Sequence, residues 1–282
     1  MQLRRIGSHQ VSAIGLGAMQ LDDHPQRAER TLQAALDAGV TLIDTAIAYG
    51  PGRLGASAMG ENERLLATLL ERLGARKQVL IATKGGHTRT AGGGWGVDSS
   101  APHLQWAVDQ SLRNLRVEQI DLYQHHRPDP DIPYGDALGT LKRIYEAGKV
   151  RMVGISNADP DQIRLARDIL GPALVSVQNQ YSPRFRSSEP ELRLCDELGL
   201  AFLPWSPLGG ITKAGGLGDR FASFQQVADA HGVSPQQVCL AWMLALSPVV
   251  VPIPGSSRPE TIRDSAKAVD LQLTPEELQQ LG

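Results

Sequence analysis

The strongest constraint on this 282-residue chain is an alternation in its sequence. Short runs rich in aliphatic and β-branched residues are each followed by a longer amphipathic stretch. The runs are Val11–Gly17, Val40–Asp44, Val79–Lys84, Ile120–Gln124, Val150–Ser156, Leu174–Gln178, Leu200–Trp205 and Val249–Ile253, eight in all. Several are apolar almost throughout, as expected of strands buried on both faces. The last contains Pro252, which lacks the N–H that a central strand donates. It is kept as a strand because it completes the repeat.

The intervening stretches read as helices. Arg27–Ala38 places Leu32, Ala35 and Leu36 on one face and stops at Gly39. Leu104, Ala107, Val108, Ser111, Leu112 and Leu115 form a second stripe, with Ser99 or Ser100 as cap and Pro102 in the first turn. Leu192, Cys195 and Leu198 form a third, ended by Gly199. Further helices are expected at Glu61–Leu73, Asp136–Ala147, Pro160–Leu170 and Pro259–Val269. Phe221–His231 and Pro235–Leu246 both precede the eighth run, one helix more than simple alternation needs.

A helix after each strand implies right-handed connections and a parallel sheet. Eight such units in a chain of this length fit a (β/α)8 TIM barrel, with a doubly wound open sheet as the alternative. Leu3–Ile6 and His9–Val11, turning near Gly7–Ser8, read as a short N-terminal β-hairpin that closes the bottom of the barrel. No linker interrupts the pattern, so residues 1–282 are expected to form a single domain.

Composition narrows the function. Hydrophobic residues make up 41% and charged residues 21%, enough for a large core and against intrinsic disorder. Lys and Arg number 28 against 30 Asp and Glu, a net charge of −2. That balance argues against a nucleic-acid or membrane-surface partner. Cys195 and Cys239 lie far apart with no metal-binding spacing, which suits a reducing cytoplasm. The opening residues lack an apolar signal core, and no run approaches the ~20 apolar residues of a membrane span. With no surface feature pointing to a dimer, a monomer is expected.

Some local patterns mislead. Gly15-Leu16-Gly17 follows a strand, but position 20 is Gln20 and the dinucleotide fingerprint is incomplete. Gly92–Gly94 has no Gly-Lys-Ser/Thr ending, so it is not a phosphate-binding loop. His125 and His126 are adjacent on a strand, so their side chains point to opposite faces and seldom reach one metal ion. No resident metal is expected.

On a barrel of this kind, functional side chains gather at the C-terminal ends of the strands. Those ends carry Asp44 followed by Tyr49, Lys84, His126, Ser156-Asn157, Gln178 and Trp205, and the eighth leads into Gly255-Ser256-Ser257-Arg258. Taken in order, the segments Asp44-Thr45-Ala46 with Tyr49-Gly50, Ala82-Thr83-Lys84, Asp121–Pro128, Gly154-Ile155-Ser156-Asn157, Val177-Gln178-Asn179, Trp205–Gly209 and Ile253-Pro254-Gly255-Ser256 resemble the aldo-keto reductase superfamily over nearly the full chain. A bacterial, pyridoxal-reductase-like branch looks nearest.

The resemblance implies a catalytic tetrad of Asp44, Tyr49, Lys84 and His126. The chemistry of the residues agrees. Reducing a carbonyl needs a hydride donor and a proton donor. A free phenol has a pKa of about 10, so Tyr49 needs help to release its proton. A nearby Lys84 ammonium is expected to lower that pKa, with Asp44 holding Lys84 in place. His126 can hydrogen-bond the substrate oxygen and polarise the carbonyl. His125 competes for that role, but the family's histidine directly precedes an aromatic or basic residue and Pro, which favours His126. Each residue alone has a plainer reading: Asp44 as a turn cap, Tyr49 as part of a Tyr-Gly turn, Lys84 and His126 as solvated or satisfied groups.

For the cofactor, the resemblance implies NADPH, with NADH possible. Trp205 matches the aromatic platform for nicotinamide, and Ser156, Asn157 and Gln178 match the groups that bind its carboxamide. Ser206, Pro207 and Leu208 continue that wall. Asn157 could instead cap the following helix, and Trp205 could be core. At the adenosine end the family's Lys is Gly255 here, followed by Ser256, and two further family positions are Thr261 and Ser265. Arg258 and Arg263 could supply the missing positive charge, because guanidinium suits phosphate bidentately. Met19, Trp95, Arg127 and the Gly209–Gly218 loop are candidates for the substrate wall.

The expected activity is reversible reduction of an aldehyde or ketone by NADPH, with Tyr49 as acid. Two alternatives stand beside it. One is a redox-sensing or regulatory subunit on the same scaffold. The other is a barrel enzyme that uses Lys84 as a Schiff base.

Overall fold

Period-two alternation decides which side chains face the barrel axis, and the computed structural model follows it. The structure describes residues 1–21, 24–210 and 213–282. A hairpin, β1 (Leu3–Ile6) and β2 (His9–Ser12), opens the chain. Next come β3 (Leu16–Gly17), α1 (Pro25–Asp37), β4 (Leu42–Asp44), α2 (Glu61–Arg72) and β5 (Leu80–Gly85). A second hairpin, β6 (His87–Arg89) and β7 (Trp95–Val97), precedes α3 (Ala101–Leu115). The strands β8 (Ile120–His125), β9 (Val150–Ser156), β10 (Leu174–Gln178) and β11 (Ala201–Phe202) alternate with α4 (Tyr134–Glu146), α5 (Pro160–Leu170) and α6 (Glu189–Leu198). The chain ends through α7 (Leu217–Arg220), α8 (Ala222–His231), α9 (Pro235–Leu246), α10 (Pro259–Ala266) and α11 (Pro275–Leu281).

Seven parallel strands pair in the order β3-β4-β5-β8-β9-β10-β11. Segment 249–254 is the eighth stave and closes the ring, although it is not a regular strand. On one side Val251 N–H donates to the Phe202 carbonyl and Ile253 N–H to the Pro204 carbonyl. On the other, Gly15 and Gly17 N–H donate to the carbonyls of Pro252 and Pro254. The two prolines fall where this stave would donate back to the first, so half of that ladder is missing. The expected strand Val249–Ile253 is therefore corrected to an irregular stave, and the expected (β/α)8 barrel stands.

Two other expectations are refined. Run Val11–Gly17 divides into the end of the hairpin and the first stave. At the break, Ser12 Oγ donates to the Ile14 carbonyl and accepts from Thr41 N–H, which turns the chain. In Leu200–Trp205 only Ala201–Phe202 forms a regular ladder, and Trp205 joins by a single bridge to Gln180.

The inward faces of the staves carry Leu42, Leu80, Ala82, Leu122, Met152, Val175, Ala201, Leu203, Val251 and Ile253, all buried in one cluster. Ile6 and Val11 of the N-terminal hairpin join that cluster, so the hairpin plugs the N-terminal end, as expected. The outward strand residues pack under the helices with Leu32, Leu66, Leu104, Leu138 and Ile163. Capping is local and legible: Ser100 Oγ accepts from His103 N–H at the start of α3, and Gly39 and Gly199 take left-handed φ of +80° and +66° after α1 and α6. Among the described residues no helix is long and apolar enough to cross a membrane.

Candidate active site

Following each inward column to its C-terminal end gives the site. Leu42 leads to Asp44, and Leu80 and Ala82 lead to Lys84. Leu122 and Gln124 lead to His126, Met152 and Gly154 to Ser156, and Leu203 to Trp205. The columns are apolar low in the barrel and polar at the rim, because only the rim offers partners and water to polar groups. Tyr49 reaches the rim from the loop after β4. Its N–H closes a turn onto the Ala46 carbonyl. A Cβ at Gly50 would come within 2.2 Å of the Ala58 carbonyl oxygen, so the turn after Tyr49 requires glycine.

Lys84 is fully buried and its three protons are all committed. Nζ donates to Asp44 Oδ2 at 2.6 Å, to the Thr45 carbonyl at 2.8 Å and to Tyr49 Oη at 3.2 Å. An ammonium only donates, so Tyr49 Oη is the acceptor and its own proton is left to point elsewhere. Asp44 Oδ1 accepts from Gln178 Nε2 at 2.8 Å and from Gln124 Nε2 at 3.2 Å. Two amides therefore hold the carboxylate that holds the lysine. Gln124 and Thr45 were not singled out from the sequence. Gln124 was discoverable, because it occupies the inward column two residues before His126.

Lys84 acts on Tyr49 in the expected direction, but burial decides the net shift. Burial pushes the Tyr49 phenol above its usual pKa, the Lys84 ammonium pulls it down, and the Asp44 charge adds to the upward push. The net direction is up, so desolvation outweighs the lysine. Lys84 is itself raised: burial opposes its charge, but Asp44 and Tyr49 more than compensate. At neutral pH the pair is a protonated phenol beside an ammonium.

The two histidines part as alternation requires. His125 faces outward, where its Nε2 lies 2.8 Å from Ser99 Oγ and its ring packs beside Tyr134. His126 meets Tyr49 edge-on, with ring centroids 5.6 Å apart. Burial drives His126 well below the usual histidine pKa, with further push from Lys84, His87, Arg127 and His125. It is a neutral imidazole, able to offer one N–H.

Ser156, Asn157, Gln178 and Trp205 lie along the adjoining rim. Ser156 Oγ donates to the Gln178 carbonyl, and Asn157 Nδ2 donates to the His126 carbonyl and to Ser156 Oγ. Asn157 does not cap α5; Asp159 does, in a capping box with Gln162. Instead Asn157 takes a left-handed φ of +57°, and Ser206 takes +51°. Strained non-glycine residues of this kind cluster where a ligand is gripped. Trp205 Nε1 is buried without a partner. Gln178 Oε1 accepts from no described residue while its amide nitrogen serves Asp44. An orphaned indole N–H and a free amide oxygen on one wall fit a flat polar ring with a carboxamide.

Pro207 is buried and its carbonyl receives Cys239 Sγ, while the partly buried Leu208 packs against two apolar clusters. Gly255 bridges to Gly17 in the first stave. Ser256 Oγ donates to the Arg258 carbonyl and is also bonded to Thr261 Oγ1. Arg258 is the N-cap residue of α10, whose first turn has no side-chain cap. Arg258 and Arg263 are exposed, and no described residue pairs with either guanidinium.

Of the substrate-wall candidates, Trp95 is 45% exposed and meets Tyr49 edge-on at 6.4 Å. Arg127 NH2 lies 3.4 Å from Asn157 Oδ1. Met19 is 44% exposed in the short turn of helix just beyond the first stave. Within the Gly209–Gly218 loop, Ile211 and Thr212 lie outside the described residues. The loop carrying Trp95 is an ordered hairpin, pairing His87 with Val97 and Arg89 with Trp95. It brings in two residues that sequence reasoning missed. His87 packs on His126 with centroids 4.2 Å apart, and Arg89 lies over the Trp95 ring at 3.7 Å.

Known proteins resemble this chain in sequence and in fold. The aldo/keto reductase family model matches residues 13–282. A 6-dehydroglucose reductase of Novosphingobium aromaticivorans is 35% identical, over 93% of this chain and 88% of its own. An uncharacterised oxidoreductase of Schizosaccharomyces pombe is 34% identical, over 96% and 86%. Among solved structures, an aldo/keto reductase from Klebsiella pneumoniae in complex with NADP and acetate superposes with a TM-score of 0.82 at 27% identity, over 99% of this chain and 93% of that one.

Proposed function

Because this chain belongs to the aldo/keto reductase family, we propose that it reduces an aldehyde or ketone to the alcohol with NADPH, and that Tyr49 supplies the proton. The whole chain, residues 1–282, acts as one barrel domain in this reading, a monomer of the cytoplasm with a small carbonyl compound as its partner. The observation that carries it is the commitment of all three Lys84 protons to Asp44, Thr45 and Tyr49.

Tyr49 waits protonated at neutral pH, its hydroxyl oxygen held by Lys84. His126, neutral, donates an N–H to the carbonyl oxygen and fixes its place beside Tyr49 Oη. As negative charge grows on that oxygen, Tyr49 delivers its proton. The phenolate left behind stays next to the Lys84 ammonium, which stabilises it. Asp44 keeps Lys84 charged, and Gln124 and Gln178 keep Asp44 aimed. Alcohol oxidation runs the same transfers in reverse.

Trp205, Ser156, Asn157 and Gln178 would hold the nicotinamide, and Arg258 and Arg263 the 2′-phosphate. Bound there, reduced nicotinamide supplies the hydride that the carbonyl carbon receives. The NADP complex of the Klebsiella pneumoniae relative and a Schizosaccharomyces pombe relative named for NADP(+) support the choice of NADPH over NADH.

A Schiff-base role for Lys84 is disfavoured. That chemistry needs a neutral, accessible amine, whereas Lys84 is fully buried, and its pKa is raised by Asp44 and Tyr49 against the cost of burial.

The test is a fluorescence titration with NADPH and NADH, then turnover of simple carbonyls followed by NADPH consumption. Quenching of Trp205 by NADPH, with turnover lost in Tyr49→Phe and cofactor binding kept, is the expected result. Full activity in Tyr49→Phe would remove Tyr49 as the acid. Failure to bind either cofactor would sink the reductase reading.

A further inference from the structure

His87 stands over the site with nothing to bond to. It follows Lys84 by three residues, past Gly85 at the end of β5, where a Cβ would meet Tyr123 Oη at 2.0 Å, and a turn at Gly86 with φ +102°. The turn delivers the imidazole onto His126, with the Trp95 ring 5.4 Å away. Nδ1 is buried without a partner, and no described residue bonds to either ring nitrogen. Buried polar atoms are mostly satisfied, and among the unpartnered ones of this structure His87 Nδ1 belongs to a ring packed on His126 at the rim of the site. His125, which faces outward, has Ser99 beside its Nε2, whereas neither ring nitrogen of His87 has a bond to a described residue.

The hairpin that carries His87 is anchored. Arg89, two residues on, donates to the carbonyls of Ala48, Gly50 and Gly93. His87 is thus fixed relative to both Tyr49 and His126. Burial, together with the charges of Arg127, Lys84 and Arg89, holds its pKa down to about 4. At neutral pH the ring has one N–H and one lone pair. It can donate to a carbonyl oxygen or bond a hydroxyl, but it carries no charge for an anion.

We propose that His87 is a specificity-determining residue whose imidazole hydrogen-bonds an oxygen on the carbon next to the reacting carbonyl. The enzyme then prefers 2-hydroxy and 2-oxo carbonyl compounds to plain alkyl ones. The inference rests on the reading of Tyr49 and His126 as the groups that receive the reacting oxygen. Two imidazoles packed against each other present neighbouring hydrogen-bonding positions, which suits oxygens on adjacent carbons.

The experiment compares glyceraldehyde, methylglyoxal and propanal as substrates, with NADPH, in wild type, His87→Ala and His87→Phe. The phenylalanine variant keeps a ring packed on His126 and removes only the nitrogens. Wild type should favour the two oxygenated substrates. Both variants should lose about tenfold in kcat/KM for those substrates, the scale of one hydrogen bond, and stay within about twofold for propanal. NADPH binding should not change. An equal loss for all three substrates in His87→Phe would make His87 a mere support for His126 and overturn the proposal. So would no loss for any of them. Wild type that binds NADPH but turns over none of the three would overturn the reductase reading itself, a different and recognisable failure.

Discussion

Arg89 grips Tyr49 through the backbone: its guanidinium donates to the carbonyls of Ala48 and Gly50, the residues on either side of the tyrosine, at 3.1 and 3.0 Å. A third bond reaches the Gly93 carbonyl at 2.9 Å, and the Trp95 ring covers the cation. The hairpin and the acid therefore move as one piece. Arg89→Ala should reduce kcat by roughly ten- to a hundredfold, the cost of a small misplacement of a reacting group. NADPH affinity should hold. Arg89→Lys should restore little, because a point charge cannot bridge two carbonyls as a planar fork does. Steady-state kinetics with a separate cofactor titration checks this, and a change confined to cofactor affinity would contradict it.

The pH profile of reduction should lack a histidine limb. His126 is held well below 6.5 by burial and by the positive charges near it, so it stays neutral through the physiological range. Tyr49 is raised, so the protonated acid persists into alkaline solution. Loss of reduction should appear only above the ordinary phenol value of 10.0, and alcohol oxidation should gain as pH rises. Measurement of kcat/KM in both directions tests it, and a bell centred near neutrality would contradict both assignments.

Lys84→Met should destabilise the fold as well as stop turnover. It leaves Asp44 buried without its cation, and breaking a buried pair from one side costs about 3–5 kcal/mol. Asp44→Asn in the same chain removes the stranded charge and should recover much of that loss, without recovering activity. Urea denaturation of the single and double variants separates the two effects.

Arg258→Ala should weaken NADPH binding by roughly ten- to a hundredfold and leave NADH nearly unchanged, the scale of lost hydrogen bonds to a charged group. Equal losses for both cofactors would assign the 2′-phosphate elsewhere, with Arg263 the next residue to test.

The strand columns were legible because parity is a property of the sequence. Leu42 with Asp44, Leu80 with Ala82 and Lys84, and Leu122 with Gln124 and His126 each lie two apart, so an apolar start fixes which polar end faces inward. The same parity separates His126 from His125. Other parts were hidden for physical reasons. The β6–β7 hairpin has only three residues on each side, too few for alternation to stand out, although the turn through Gly92–Gly94 was a signal for it. That is why His87 and Arg89 went unnoticed. The helix α11 was announced by the Thr274–Glu277 capping box but has little apolar pattern. The direction of the Tyr49 shift depends on how much water the fold removes, which no local pattern encodes.

The prolines of the eighth stave also decide how the closed barrel can be watched. Pro252 and Pro254 have no amide hydrogens, so on that side of the ring closure depends on the amides of Gly15 and Gly17. A Cβ at Gly17 would come within 2.9 Å of the Ile253 carbonyl oxygen, so the staves meet there only because that residue has no side chain. Opening of the ring at this joint therefore has two natural reporters. Slow deuterium uptake at Gly15 and Gly17, next to the turn that carries Arg258, would register any tightening of the barrel when a ligand settles on its rim.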